Sequence, residues 1–384
     1  MQKEGGIATR RALFALYAAC ALTGLLHAVG GPLLPSIAST LKLNDSQSGL
    51  LFFLYFAGSS VGALLCVGRY ARLMALGFAA AAACCFAESG SHWPLCLIAF
   101  LFLGVSVGLS MSAVNLYVGR EFPKCAASML ALLNCMWGVG ALCASLFAMR
   151  VLVHHGYRVA YVLLGVVAAV AALICWLFLQ DRAEADAPLG NVRSSSSNRR
   201  RILTLALAAF LEVGVENLSL AWLSTYASRM AGRDAVLGAA LSAGYWIGFL
   251  GSRALASLIL LRTVPASVLR VAIPAALGAA IVLVASSSPW TGCLAMALLG
   301  IALGPIYPLI VAQSFTDLRQ TSDTRWILGA AGFGGSVLPW LTGWISANFG
   351  GIRAGLLVLP AALLVMLFLV PMKFKQEAPT LTAQ

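Results

Sequence analysis

The residues of this chain best suited to chemistry are two acids, one histidine, and a scatter of amides and aromatics inside long apolar runs. Of the thirteen Asp and Glu, only Glu212 and Glu216 lie well inside such a run; the others fall in loops, tails or run ends. Their run starts near Leu203, so at 1.5 Å rise per residue Glu212 stands about 14 Å along it and Glu216 about 20 Å. A spacing of i,i+4 puts them on one helix face, one turn apart. Two carboxyls at that distance in a low dielectric resist joint ionisation. A buried carboxyl that takes up and releases a proton is what proton coupling requires. The competing reading is a neutral Glu bonded to a neighbouring helix as static glue. His27 is the only histidine deep in a run. It could share a proton with a carboxyl, donate to a substrate hydroxyl, or simply bond a backbone carbonyl.

The elements that hold these residues follow from composition. The chain has 384 residues, 61% hydrophobic and only 10% charged, and its mean hydropathy is +0.92. Soluble domains average about 45–50% apolar and about 25% charged residues, so this is a polytopic membrane protein. Twelve apolar runs can be counted, at about 11–35, 47–68, 73–90, 95–117, 125–148, 158–179, 202–227, 236–260, 268–286, 291–314, 326–347 and 353–371. Each is continuous and about 20 residues long, as a spanning helix requires. The alternating ~10-residue pattern of a β-barrel is absent, and open strands cannot span lipid because their edges go unpaired. The fold expected is all-α with 12 transmembrane helices. Arg10 and Arg11 ahead of the first run, and Leu16 to Cys20 within it, faintly suggest a secretory or lipoprotein leader. The run continues past Gly30 without a small-residue cleavage site, so it reads as span one.

Residues 181–201, with a Ser run and Arg199–Arg200–Arg201, form the only long polar stretch and read as a flexible linker. The expected organisation is therefore 1–180, a linker 181–201, and 202–384. An even number of spans puts both termini and the linker on one side. That side then carries nineteen of the 25 Lys and Arg, and the positive-inside rule makes it cytoplasmic. The net charge of +12 is mostly this topology signal and no nucleic-acid footprint, since the basic residues are scattered among loops. The ten cysteines show no CxxC pair and no Cys/His ligand spacing, and read as small packing residues with no metal.

The two sets of six spans echo one another. Span four has LGVSVG (Leu103 to Gly108) and span ten LGIALG (Leu299 to Gly304); span five has WGVG (Trp137 to Gly140) and span eleven AGFG (Ala331 to Gly334). Similar offsets in matching spans point to a parallel duplication. The layout of six spans, linker and six spans resembles the major facilitator superfamily over nearly the whole chain. The loop GRYAR (Gly68 to Arg72) looks like a shortened form of that family's GxxxDRxGRR loop, without its Asp. GPLLPS (Gly31 to Ser36), VGVENLSLAWLSTYA (Val213 to Ala227), GPIYP (Gly304 to Pro308) and GFGGSVLPWLTGW (Gly332 to Trp344) resemble the fucose–proton symporter and related sugar porters.

The resemblance implies two pseudo-symmetric six-helix bundles around a central cavity, lined by spans one, four, seven and ten with help from five, eight and eleven. On that basis the substrate contacts expected are His27, Asn115, Asn134, Trp137, Glu216, Asn217, Trp222, Tyr226, Tyr245, Trp246, Tyr307 and Trp340. Amides and a carboxylate bind vicinal hydroxyls, and indoles stack on a ring face. Interfacial belts also attract Trp and Tyr, which is the reading for Trp93 and Trp290. The symporters it resembles carry acids in spans one and four, where this chain offers His27 and Asn115. Either coupling has moved to span seven, at Glu216 and Glu212, or it has been lost.

Gly58/Gly62, Gly104/Gly108 and Gly300/Gly304 are GxxxG pairs that let helices approach closely. Pro305 and Pro308 should kink span ten. Arg253, seven residues inside its end of span eight, either snorkels to the interface or caps carbonyls of the other half. The function expected is secondary transport of a small polar solute, a sugar or sugar-like compound, by alternating access, with possible coupling to protons. The alternatives are an exporter of amphipathic compounds or an uncoupled facilitator. No GxxxxGK[ST] supports ATP-driven transport, and neither HExxH nor GxSxG supports an intramembrane enzyme. No cofactor is implied. The partners expected are the solute, protons and membrane lipid, with the chain a monomer in a bacterial inner membrane.

Overall fold

In the computed structural model, residues 2–90, 92–122, 126–179, 181, 199–259, 265–310 and 324–369 are described. Most of the linker and the C-terminal tail lie outside these residues. Span one is a long helix bent in the middle, α1 (Gln2–Ala28) and α2 (Gly30–Leu41). The bend falls just before Pro32, which has no N–H to give to Ala28. There follow α3 (Asp45–Leu64), α4 (Tyr70–Ser89), α5 (Trp93–Glu121), α6 (Ala126–Leu152) and α7 (Tyr157–Phe178), spans two to six. The second set begins with α8 (Arg199–Met230), α9 (Ala235–Ile259), α10 (Pro265–Ala285) and α11 (Pro289–Leu303), with 306–310 helical again after it. It closes with α12 (Thr324–Asn348) and the pair α13 (Ile352–Leu356) and α14 (Val358–Leu369). No strand occurs among the described residues. Eleven helices there are long and apolar enough to cross a membrane, and α12, 25 residues long, packs among them as the twelfth.

Local chemistry sets the ends. Asn44 and Gln47 form a reciprocal capping box that starts α3. The start of α4, in the loop that lacks its Asp, takes a carboxylate from elsewhere: Asp181, just past span six, accepts from the amides of Ala71 (2.7 Å) and Arg72 (3.3 Å). An anion at a helix N-terminus satisfies orphan donors and the helix dipole together.

The helices of each half meet through glycines. A Cβ on Gly104 would run into the backbone oxygen of Tyr55, and one on Gly300 into that of Tyr245. In the same way Gly140 abuts Ala21 and Gly334 abuts Phe210. The echoed motifs are therefore matching helix contacts: span two on four and eight on ten, span one on five and seven on eleven.

The two halves touch most closely at the end away from the linker, here the far face. There Asp45 on α3 accepts both guanidinium nitrogens of Arg229 from α8, one at 2.8 Å, and the hydroxyl of Ser346 from α12. Gly49 and Gly343 bring the α3 and α12 backbones together beside this clasp, and Gly31 does the same for α2 against Leu220 of α8. Ser145 of α6 and Ser242 of α9 stand 3.5 Å apart across the same seam.

Candidate functional site

A column of side chains runs through the contact zone between the halves. It begins at His27, where α1 nears its bend. The imidazole sits among Tyr55 (5.7 Å between ring centroids), Phe56 (5.4 Å) and Trp137 (5.6 Å). Trp137 meets Trp246 of the other half edge to face at 6.0 Å. Trp246 packs on Phe249 at 5.6 Å, and Tyr245 stacks with Phe249 at 5.6 Å. The Arg253 guanidinium covers Phe249, 4.1 Å from the ring centroid, a cation–π contact. Arg253 Nη2 then reaches Glu216 Oε2 at 3.5 Å, and its Nε donates to the Gly304 carbonyl at 3.1 Å. One turn from Glu216, Glu212 is wholly buried, and neither carboxyl oxygen has a hydrogen-bond partner among the described residues.

Asn217 joins the column from the other side. Its amide donates to Gly335 O on α12 at 3.3 Å, and its side chain neighbours His27 across the halves. Tyr307, from span ten, and Tyr245 lie within electrostatic reach of both acids. Several polar atoms of this column have no partner among the described residues: His27 Nδ1, Trp137 Nε1, Tyr245 Oη and the Glu212 oxygens. A cavity of about 10 Å³ lined by His27, Tyr55, Phe100 and Tyr161 adjoins the histidine, enough for roughly one water. Donors and acceptors left open beside aromatic faces suit a solute that presents both hydroxyls and an apolar ring.

Of the expected residues, the structure brings together His27, Trp137, Glu212, Glu216, Asn217, Tyr245, Trp246 and Tyr307. Others serve elsewhere. Trp222 is fully buried and donates to Pro339 O at 2.8 Å; Tyr226 donates to Leu283 O at 2.9 Å. Both tie α8 to its neighbours toward the far face. Trp340 packs on Phe53 at the seam between halves, and Asn115 turns back to Met111 O of its own helix. Asn134 is exposed on α6, one turn from Trp137. Arg253 neither snorkels freely nor caps the other half: it binds a carboxylate and a carbonyl of its own half. Phe249 and the far-face clasp are not among the residues that hydropathy and spacing single out. Tyr245, Phe249 and Arg253 do lie at i, i+4 and i+8, a signal that the chain carries. Asp45 and Arg229 sit 184 residues apart and carry no such signal.

The Major Facilitator Superfamily model matches residues 16–322. No curated protein matches the chain. Among solved structures, the nucleoside transporter NupG superposes with a TM-score of 0.74 at 12% identity, covering 94% of this chain and 99% of that one. A bacterial homolog of the human lysosomal transporter Spinster, inward-facing and occupied, gives 0.76 at 16% identity, covering 96% and 98%. The E. coli fucose:proton symporter FucP in its outward conformation gives 0.63 at 19% identity, covering 95% and 99%. A chain with eleven helices long and apolar enough to cross a membrane among its described residues, matched by the family's model over most of its length, belongs to the Major Facilitator Superfamily and is a multi-pass membrane transporter rather than an enzyme.

Proposed function

We propose that the protein is a secondary transporter that moves a small polar organic solute, a sugar or sugar-like compound, by alternating access, with protons coupled through Glu216 and Glu212. The observation that carries this reading is the Glu212–Glu216–Arg253 cluster at one end of the aromatic column. An unpaired buried carboxylate is costly, whereas a neutral acid or an ion-paired one is tolerated. Glu212 without a partner and Glu216 beside Arg253 are therefore two carboxyls with different reasons to hold or release a proton. With the linker side cytoplasmic, as the distribution of basic residues favours, the Asp45–Arg229–Ser346 clasp closes the outer face. Solute and proton then exchange with the cytoplasm in this state. The solute binds between Trp137, Trp246 and His27, and the halves rock about that site.

One observation favours a second reading, export of amphipathic ring compounds. Asn115 turns to its own backbone, away from the column, so the column is more aromatic and poorer in amides than a sugar site built on all the expected residues. Uptake of a labelled hexose panel into proteoliposomes, with and without an inward proton gradient, separates the readings. Gradient-driven accumulation that disappears in Glu216→Gln supports sugar–proton symport. Equilibration that ignores both gradient and mutation leaves a facilitator. No hexose flux, together with gradient-driven dye extrusion, moves the exporter to first place.

A further inference from the structure

In span ten a charged site residue holds a backbone group that its own helix has left open, as Asn217 does for Gly335 O ahead of Pro339. The helix stops at Leu303 and resumes at 306. Gly304 O would normally accept from the amide of residue 308, but that residue is Pro308, which has no N–H. The orphaned carbonyl is taken instead by Arg253 Nε at 3.1 Å. The ladder resumes next door, from Leu309 N to Pro305 O at 3.4 Å. Close approach makes this possible, because a Cβ on Gly304 would collide with Ser252 and crowd Phe249 and Arg253. The same guanidinium meets Glu216 at 3.5 Å and lies on Phe249. One cation thus holds an acid of span seven and the broken turn of span ten at once.

We infer that Arg253 is a positioning residue that links the charge of Glu216 to the bend of span ten. This rests on the reading of Glu216 as a coupling acid and adds the part that answers it. With Glu216 ionised, the guanidinium is held between carboxylate and carbonyl, and the break at Gly304–Pro305 is clamped against α9. When Glu216 takes a proton from water on the open face, its pull on Arg253 falls from a charge–charge contact to a weaker charge–dipole one. The guanidinium is then free to leave Gly304, and the 306–310 segment, beside the site through Tyr307, loosens. The proton returns to water on the other face, and no other bond changes. The ionisable groups around Glu216 are Glu212 on its own helix, Arg253 and Tyr245 on α9, Tyr307 on span ten, and His27 through Asn217. Among the described side chains α2, α12 and α14 bring none to this level.

Backbone hydrogen exchange of peptides spanning 299–310 tests this on the purified full chain in detergent, across pH, without any substrate. Wild type should show protection in this segment that changes with pH, and Glu216→Gln and Arg253→Gln should each abolish that dependence. Pro308→Ala is the deciding variant, since it leaves every charge in place and favours the helix. Its restored amide takes Gly304 O, so exchange at this turn should slow about fivefold, the effect of one net backbone hydrogen bond, and the protection factor should no longer change with pH. The inference is overturned if wild type shows no pH dependence, or if Pro308→Ala keeps it. Hexose flux answers a separate question. Coupled uptake with unchanged pH-dependent exchange in Pro308→Ala would sink the Arg253 link alone, and the expected exchange pattern without hexose flux would sink only the sugar assignment.

Discussion

The contact of span two with span four and the contact of span eight with span ten are the same joint built twice, with different contents. In each, a glycine lies on a tyrosine carbonyl: Gly104 on Tyr55, Gly300 on Tyr245. One turn on, Gly108 meets the Ser59 oxygen and Gly304 meets that of Phe249. Another turn on, the first joint has Ala63 where the second has Arg253, and span four has Ser112 where span ten has Pro308. Accordingly α5 runs unbroken for 29 residues while span ten breaks at Gly304–Pro305. The packing is the same in both, where close backbone approach leaves no room for a side chain. Charge and a helix break stand in the second of these joints only, while His27 and Trp137 of the column come from the first half. At the axis the asymmetry is milder: His27 and Asn217 face each other from α1 and α8.

The sharpest way to break this comparison is Arg253→Ala. Removing one partner of a largely buried ion pair strands the other, so a loss of about 3–5 kcal/mol is expected, read as a fall in thermal unfolding temperature in detergent. An unchanged temperature would mean that the pair holds little. Next come Gly104→Ala and Gly300→Ala, which put a methyl against a backbone oxygen in each joint. Each should cost about 1–3 kcal/mol, and closely matched losses are expected if the packing is truly shared. A neutral result in one half alone would show that the joints differ in packing as well as charge. Asp45→Asn weakens the far-face clasp. Being partly exposed, it should cost about 1 kcal/mol or less yet raise thiol labelling of a cysteine placed at Ser145, buried in the same seam; labelling equal to the parent's would show that the clasp does not keep that face shut. The smallest stability change should come from Glu212→Gln, since Gln matches a neutral acid in shape and the site has no partner among the described residues to lose. Gradient-driven accumulation should nonetheless fail, and its survival would remove Glu212 from the coupling scheme.

Much of the fold is legible along the chain itself, and the reasons are local. Apolar runs of about 20 residues report lipid directly, because only a helix satisfies its backbone there. The echo of Leu103–Gly108 in Leu299–Gly304 is legible because glycine at a helix crossing tolerates no substitute with a side chain. Glu212 and Glu216 stand out because an acid inside a span is costly. The aromatics are less legible. Trp137 and Trp246 reach the column, whereas Trp222 and Tyr226, equally polar-tipped but nearer the far end of α8, are consumed by the carbonyls of Pro339 and Leu283.

The sequence by itself therefore determined which segments are apolar enough to span and that Glu212 and Glu216 lie inside one, since each follows from hydropathy and spacing along one helix, whereas the burial of Glu88 at the end of α4 did not follow. Only the tertiary structure decided that Arg253 serves Glu216 and Gly304, that Asp45 meets Arg229 and Ser346, and that Asn115 faces its own backbone. Such pairings depend on helix rotation and on the register between helices far apart in the chain, which glycine contacts and proline breaks set together and which no single run of residues contains.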